Sequence, residues 1–198
     1  MKMRDSGMPA QQVWESFFDA TEVLRRLHFQ RIAGDVVDFG CGYGTFSVAA
    51  AQLTTGTVHA LDIDPLMIGT TDHRARALGL SNVHAAERDF VNEGSGLPDG
   101  SMSFAMLFNV LHAESPTGLL REAFRVLRPQ GLLGIIHWVH DASTPRGPDL
   151  SIRPRPEQCR DWAQQVGFAC EESLITLPPY HYGLVLRKPS ASPQFTEK

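Results

Sequence analysis

The chain has 198 residues, of which 42% are hydrophobic and 20% are charged, and its formal net charge is -4. This length and composition are typical of one globular domain with one core, and they exclude a disordered or fibrous protein. The negative net charge disfavours nucleic acid as the partner, because phosphate binding requires a basic surface.

Membrane and metal partners are not expected either. No apolar run approaches the ~20 residues that cross a bilayer, and the first ten residues lack the apolar stretch of a signal peptide. We therefore expect a cytoplasmic location. The cysteines Cys41, Cys159 and Cys170 show no CxxC spacing, which disfavours a disulfide framework and a structural zinc site.

Apolar runs alternate with amphipathic stretches along the chain, which predicts a parallel sheet covered by helices. Two N-terminal helices are predicted, the first opened by Pro9 and the second running from 19 to about 32, where Gly34 follows. The predicted strands are 35–39, 57–62, 82–86, 101–109, 132–138, 168–176 and 180–187. Further helices are predicted to begin at Pro65, Pro116 and Pro156.

The last two predicted strands are joined only by Leu177, Pro178 and Pro179. Since this connection is too short for a helical crossover, the two strands should form an antiparallel hairpin. The predicted fold class is therefore α/β, with a doubly wound, mostly parallel sheet of seven strands that ends in an antiparallel hairpin.

A glycine-rich turn follows the first predicted strand. Gly40, Gly42 and Gly44 let the backbone turn tightly and approach a ligand with no Cβ in the way. The helix that follows offers unpaired N–H groups. Asp62 closes the next strand, where its carboxylate can accept hydrogen bonds from both hydroxyls of a ribose. Together these features predict a nucleoside site.

The turn departs from the G-x-G-x-x-G of dinucleotide sites, because Thr45 stands at the position of the third glycine. Asp38 also places a negative charge near where an anionic pyrophosphate would lie. The negative charge of Asp38 is better suited to a ligand that carries an amino group and a sulfonium than to a pyrophosphate. The spacing therefore disfavours NAD.

The segment from Val36 to Gly44 resembles the first motif of class I S-adenosylmethionine-dependent methyltransferases, and the strand order is similar to theirs. This resemblance covers roughly residues 34–188 and implies a Rossmann-like methyltransferase fold. It also implies a helical lid over 1–33, an S-adenosylmethionine-binding methyltransferase domain over 34–188 and a flexible tail over 189–198. The implied activity is methyl transfer from S-adenosyl-L-methionine to a small-molecule acceptor.

The resemblance also implies individual roles. Asp62 would bind the ribose, Ile63 would pack on the adenine, and Asp89 would accept a hydrogen bond from the adenine amino group. Asn109 and Val110 would lie beside the methionine moiety. The implied cofactor-binding residues are Asp38, Gly40, Cys41, Gly42, Tyr43, Gly44, Asp62, Ile63, Asp89, Phe90, Asn109 and Val110.

Two positions depart from the family pattern. Ala105 stands where the fourth motif usually has an aspartate, so any role of that acid is absent. Gln130 stands where the turn before the fifth strand usually has a glycine, and glutamine tolerates a positive φ poorly. Neither position is among those assigned to the cofactor.

Two histidines are candidates for the chemistry. His112 follows the fourth strand and His137 ends the fifth, both at the carboxyl edge where open α/β sheets bind ligands. Either one is equally consistent with a structural role, and a base is optional when the leaving group is good. His181, in the final hairpin, is a weaker candidate.

The acceptor pocket is expected to involve Trp14, Phe18 and Trp138. Trp14, Phe17 and Phe18 share one helical face, which suits core packing and, by the resemblance, a lid. The loop after the fifth strand holds Arg146, Arg153 and Arg155, which are either solvated or face an anionic acceptor.

Two other functions stay open. The first is an NAD-dependent oxidoreductase, which Thr45 and the terminal hairpin oppose. The second is a non-catalytic, cofactor-binding or regulatory protein of the same fold, which Ala105 alone favours. His137, His140 and Asp141 are residue types that bind metals, but they lack a matching spacing, so no metal is predicted. The sequence identifies neither the acceptor nor the oligomeric state.

Overall fold

A computed structural model describes residues 9–30 and 32–190 of the chain. Within these ranges helices and strands alternate as the sequence predicts. The helices are α1 (Gln11–Glu15), α2 (Ala20–Arg26), α3 (Thr45–Leu53), α4 (Pro65–Ala77), α5 (Pro116–Val126) and α6 (Pro156–Val166). The strands are β1 (Val36–Phe39), β2 (Val58–Asp62), β3 (Val83–Glu87), β4 (Met102–Phe108), β5 (Leu127–Trp138), β6 (Ala169–Leu177) and β7 (His181–Arg187).

The strands form one sheet in the order β3-β2-β1-β4-β5-β7-β6. The pairs among β1 to β5 are parallel, whereas β7 pairs antiparallel with both β5 and β6. The predicted doubly wound, mostly parallel seven-stranded sheet with a terminal hairpin is therefore confirmed. The order of strands reverses between β1 and β4, and ligands of open α/β sheets bind at such a point.

Helices cover both faces of the sheet. All residues of β1 and β4 are buried, as expected for parallel strands with helices on either side. One core cluster lies against α5 and α6, and the other lies against α1, α2 and α3. Three predicted helix starts, at Pro65, Pro116 and Pro156, are the first residues of α4, α5 and α6.

The N-terminal helices are shorter than the sequence predicts. Helix α1 ends at Glu15, and α2 ends at Arg26 rather than near residue 32. His28 adopts a φ of 61°, and the Phe29 N–H then donates to the Leu24 carbonyl at 2.9 Å. This left-handed turn buries Phe29 against Phe104, with ring centroids 4.9 Å apart. Core burial thus ends the helix without a glycine.

Strand β5 begins at Leu127, five residues earlier than predicted, because Leu127 pairs with Met102 beside a bulge in β4. Gln130 takes a φ of 66° inside this strand. Its N–H donates to the Lys188 carbonyl at 2.8 Å, and the Lys188 N–H donates to the Gly131 carbonyl at 3.0 Å. These bonds to the end of the hairpin hold the conformation that glutamine alone disfavours.

Parts of the predicted organisation fall outside the described residues. They are the first eight residues of the predicted lid, Arg31, and the tail from 191 onward. In the described part of the chain, no helix has the length and apolar character required to cross a membrane.

Candidate functional site

The glycine-rich turn between β1 and α3 is closed by hydrogen bonds to β2. The N–H groups of Gly40 and Cys41 donate to the Leu61 carbonyl at 2.8 and 3.0 Å. The Gly42 N–H donates to Asp62 Oδ2 at 3.0 Å. The turn and the carboxylate that ends β2 therefore form one unit at the carboxyl edge of the sheet.

The three glycines are required by backbone conformation and by space. Gly40, Gly42 and Gly44 have φ values of 77°, 52° and 72°. A Cβ at Gly40 would lie 2.9 Å from Val110 Cγ1, and one at Gly44 would lie 2.7 Å from Thr71 Oγ1. A side chain at either position would strain the turn.

Asp38, the last acid before the turn, is buried with only 2% of its surface exposed. Ser47 in the first turns of α3 donates its hydroxyl to Asp38 Oδ2 at 2.5 Å. Burial raises the pKa of Asp38 to about 7, against the lowering effect of the Ser47 hydrogen bond, and the charge of Asp62 raises it further. A cation bound nearby would favour the ionised form.

The residues assigned to the adenosine lie along the edge of β2 and β3. Asp62 Oδ1 accepts from the Asp64 N–H at 3.0 Å, which orients the carboxylate, and Ile63 is half-buried beside it. Asp89 Oδ2 accepts from Asn92 Nδ2 at 2.8 Å. Phe90 is buried and packs edge-on against Phe39, at 5.4 Å between centroids.

Polar atoms without partners mark the part of the site near β4 and α3. Among the described residues, neither side-chain amide atom of Asn109 nor the hydroxyl of Thr45 has a hydrogen-bond partner, although these atoms are buried. Buried polar groups are normally bonded, so these are available to a polar ligand. Together with the glycine turn and Asp62, they fit the amino acid and ribose of S-adenosylmethionine.

The structure brings the two candidate histidines together. The ring centroids of His112 and His137 lie 5.6 Å apart, and both residues are buried. Neither ring nitrogen of His137 has a hydrogen-bond partner in the described part of the chain. Burial first, and then the charges of His112 and His181, hold the pKa of His137 well below its usual value. His137 is therefore neutral near pH 7 and a weak base.

The three residues expected in the acceptor pocket form an aromatic wall with His181. Trp14 contacts Phe18 and Trp138, with centroid distances of 4.9 and 6.4 Å. The His181 ring lies 4.2 Å from Trp138 and 4.5 Å from Phe18. Burial lowers the pKa of His181 to about 3, with a further contribution from the charge of Arg153. This wall carries no charge at neutral pH.

Sequence reasoning missed the residues that support the turn. Ser47 holds Asp38, as above, and Thr71 and Arg74 of α4 donate to carbonyls of the turn at 3.1 and 2.7 Å. The sequence also gives no indication of a role for the Thr45 hydroxyl, because Thr45 stands out only as the residue that replaces a glycine. No local motif identifies them, since their partners lie on other elements.

The loop after β5 does not offer all three arginines to a ligand. Arg153 is buried and donates to the carbonyls of Pro148, Val139 and Asp141, so it holds the loop together. Arg146 and Arg155 are exposed. No three His, Cys, Asp or Glu residues of the described ranges are arranged to hold a metal ion.

Comparison with known proteins places this geometry in a family. Residues 36–131 match the family model described as a methyltransferase domain. A sterol 24-C-methyltransferase of Gibberella zeae is 31% identical over 106 residues, which are 52% of this chain and 27% of that protein. A ribosomal protein L11 methyltransferase of Acinetobacter baylyi is 38% identical over 114 residues, which are 51% of this chain and 34% of that protein. The chain thus spans about a third or less of the length of these curated relatives.

The fold extends the likeness over nearly the whole chain. The crystal structure of an S-adenosylmethionine-dependent methyltransferase from Aquifex aeolicus superposes with a TM-score of 0.77 and 22% identity. The superposition covers 91% of this chain and 94% of that one. The comparisons support neither the oxidoreductase nor the non-catalytic alternative. Residues 36–131 of the chain match the methyltransferase domain family, and the chain has the fold of S-adenosylmethionine-dependent methyltransferases.

Proposed function

We propose that this chain binds S-adenosyl-L-methionine and transfers its methyl group to a small-molecule acceptor. The observation that carries the proposal is the bond from the Gly42 N–H to Asp62, which joins the glycine turn at the switch point of the sheet to the carboxylate that ends β2. The match to the methyltransferase domain family supports the cofactor. The acceptor and the residue roles are our own assignments.

In the proposed complex, Asp62 accepts hydrogen bonds from the ribose hydroxyls, and Ile63 lies against the adenine. Asp89 accepts a hydrogen bond from the adenine amino group, and the largely buried Phe90 lines the cofactor site beside it. Asn109 and the Thr45 hydroxyl bind the amino acid end, which would satisfy their unpartnered atoms. Asp38 supplies negative charge beneath the turn of Gly40, Cys41, Gly42, Tyr43 and Gly44.

The proposed acceptor is a small molecule with an apolar body. Trp14, Phe18 and Trp138 would contact it, and the neutral ring of His181 adds no charge to this wall. The relatives are named for a sterol and for a ribosomal protein, so they do not agree on an acceptor. The apolar wall favours an apolar acceptor, of the kind that a sterol represents, over a charged polypeptide.

The bound cofactor would supply a methyl group activated by a sulfonium. With a good leaving group, most of the acceleration comes from holding the acceptor atom close and in line. We assign to the neutral His137 a hydrogen bond that orients a hydroxyl or amine of the acceptor, since its low pKa makes it a poor base. His112, in ring contact with His137, would line the same place.

A cytoplasmic location is also proposed. Cys41, Cys159 and Cys170 are all unpaired, which suits a reducing compartment. Fractionation of the producing cells, followed by detection of the chain in the cytosolic or the membrane fraction, would decide this point.

The function is tested in two steps. Calorimetric titration with S-adenosylmethionine, S-adenosylhomocysteine and NAD should show binding of the first two and none of NAD. Incubation with labelled cofactor and a panel of apolar hydroxyl- and amine-bearing acceptors should then show label in one of them. Binding of NAD alone, or transfer of the label to a protein but to no small molecule, would contradict the proposal.

A further inference from the structure

One face of α4 holds the outer side of the glycine turn. Thr71 donates its hydroxyl to the Gly42 carbonyl at 3.1 Å. Arg74, three positions later and hence on the same helical face, donates Nη1 to the Tyr43 carbonyl at 2.7 Å. Both bonds go to carbonyls of the turn, so they set its path without using the N–H groups that a ligand could meet.

The same arginine also reaches the N-terminal segment. Arg74 Nη1 lies 2.6 Å from Glu15 Oε1 at the end of α1, and Gln11 Nε2 donates to that same oxygen at 3.1 Å. A second link joins the two regions, because the Tyr43 hydroxyl donates to the Pro9 carbonyl at 3.2 Å. One nitrogen of Arg74 therefore bridges α1 and the glycine turn.

Helix α1 contributes Trp14 to the aromatic wall next to this bridge. Trp14 is the neighbour of Glu15 in the chain and packs against Trp138 and His181, with centroids at 6.4 and 5.9 Å. Trp14 is 7% exposed, and Trp138 is 1% exposed. Because the wall is packed this closely, contact of an acceptor with Trp138 from the side of Trp14 requires the segment 9–18, which we term the lid segment, to move away.

We propose that Arg74 is a positioning residue that couples the lid segment to the cofactor turn, so that a bound cofactor favours closure of the acceptor pocket. The coupling rests on the proposed function, because it requires a cofactor at the turn. A ligand that orders the turn fixes the position of the Tyr43 carbonyl. This carbonyl fixes the side chain of Arg74, and Arg74 in turn fixes Glu15. By reciprocity, closure of the lid segment strengthens cofactor binding by the same factor as the cofactor favours closure, so releasing Glu15 weakens cofactor binding.

An ordinary surface ion pair would have no such effect, and α4 provides one for comparison. Arg76 pairs with Asp72 at 2.9 Å, and its side chain is 78% exposed. This pair lies on the same helix as Arg74 and touches neither the turn nor the lid segment in the contacts of the described residues. Arg76→Ala is therefore the matched control for Arg74→Ala.

The first test measures affinity for S-adenosylhomocysteine by calorimetry in the full chain. Glu15→Ala should weaken binding by about two- to fivefold, the range of a partly exposed ion pair, although Glu15 lies outside the assigned cofactor site. Arg74→Ala should weaken binding on the order of tenfold, because the bond to Tyr43 is lost as well. The double variant should match Arg74→Ala, since Glu15 acts through Arg74. Arg76→Ala should bind like the wild type.

The second test follows hydrogen exchange in peptides covering the lid segment. S-adenosylhomocysteine should slow exchange there in the wild type and in Arg76→Ala, and should do so much less in Glu15→Ala and Arg74→Ala. Glu15 is half-buried, with 35% of its side chain exposed, so Glu15→Ala removes less buried structure and keeps the test valid even if Arg74→Ala misfolds.

The outcomes separate the two proposals. Wild-type protein that binds neither S-adenosylmethionine nor S-adenosylhomocysteine overturns the proposed function, and the coupling with it. Wild-type binding that Glu15→Ala leaves unchanged in affinity and in lid protection overturns the coupling alone. Additive losses in the double variant also overturn it, because they show that the two residues act independently.

Discussion

Ser47 donates its hydroxyl to Asp38 across 2.5 Å beside the glycine turn, where both residues are buried from water. The serine satisfies one oxygen of a carboxyl that burial makes costly to ionise, and the charge of Asp62 adds to that cost. The ionisation state of Asp38 therefore affects both the stability of the unliganded protein and the charge beneath the proposed cofactor.

We expect the unliganded protein to lose stability between about pH 4 and pH 7 through Asp38. The pKa of this residue is about 7 in the folded chain, against a reference value of 3.8. The folded state thus binds more protons than the unfolded state in that window, and the free energy of unfolding falls as pH rises. The loss reaches a few kcal/mol at most, at about 1.4 kcal/mol per pH unit.

This loss of stability can be measured by comparing the thermal unfolding of Asp38→Asn with that of the wild type over a range of pH. The variant keeps an oxygen for Ser47 but cannot ionise, so it should be more stable than the wild type at pH 8, and this difference should shrink as pH falls and vanish near about pH 4. Asp72→Asn, at an exposed position of α4, should show no such trend. A stability difference that is the same at every pH would rule out the assignment.

Asp62→Asn should weaken cofactor binding and should also lower the free energy of unfolding by about 1–3 kcal/mol, because Gly42 and Asp64 donate to separate oxygens of this carboxylate and the amide keeps only one of them. The variant keeps one oxygen but loses the charge that strengthens bonds to a ribose, each of which contributes about 1.5–3 kcal/mol. Affinity for S-adenosylhomocysteine should drop by about 10- to 100-fold in calorimetry. Unchanged affinity in a folded variant would show that Asp62 serves only to hold Gly42.

Thr45→Val should weaken cofactor binding without destabilising the protein. The buried hydroxyl has no partner among the described residues, so the isosteric valine removes an unsatisfied group. Affinity should fall by roughly 5- to 15-fold, the value of one hydrogen bond of about 1–1.5 kcal/mol. Thr45→Ser should retain wild-type binding.

Thr54→Val is the matched control for that prediction. The Thr54 hydroxyl donates to the carbonyls of Ile32 and Gly34 at 2.8 and 2.9 Å, so its loss should lower the free energy of unfolding by about 1–3 kcal/mol. Cofactor affinity should stay the same. If Thr45→Val lowers stability as Thr54→Val does, its hydroxyl has a structural partner and is not reserved for a ligand.

His137 and His181 should stay neutral down to pH 5. Burial lowers the pKa of His181 to about 3 and holds that of His137 well below the ordinary value. Nitrogen-detected NMR of the imidazoles, assigned with His137→Gln and His181→Gln, would show a single neutral form from pH 8 to pH 5. Protonation of His137 above pH 6 would instead support its use as a base.

Local patterns in the sequence predicted most of the sheet and the core of the site. The alternation of apolar runs predicts all seven strands to within a few residues except at the start of β5. The three glycines of the turn and Asp62 are also readable, because a positive φ and a carboxylate after a strand are local requirements. The end of α2 could not be predicted from the sequence, because the burial of Phe29 against β4 decides it.

The sequence alone determined the α/β class, the glycine turn and the kind of cofactor, because each depends on residues close together in the chain. Only the tertiary structure decided which distant side chains support that turn and wall the acceptor side. Arg74 meets Glu15 across 59 positions of chain, and His181 joins Trp14 and Trp138 from the last hairpin. Such contacts arise from the packing of separate elements, which no local spacing encodes.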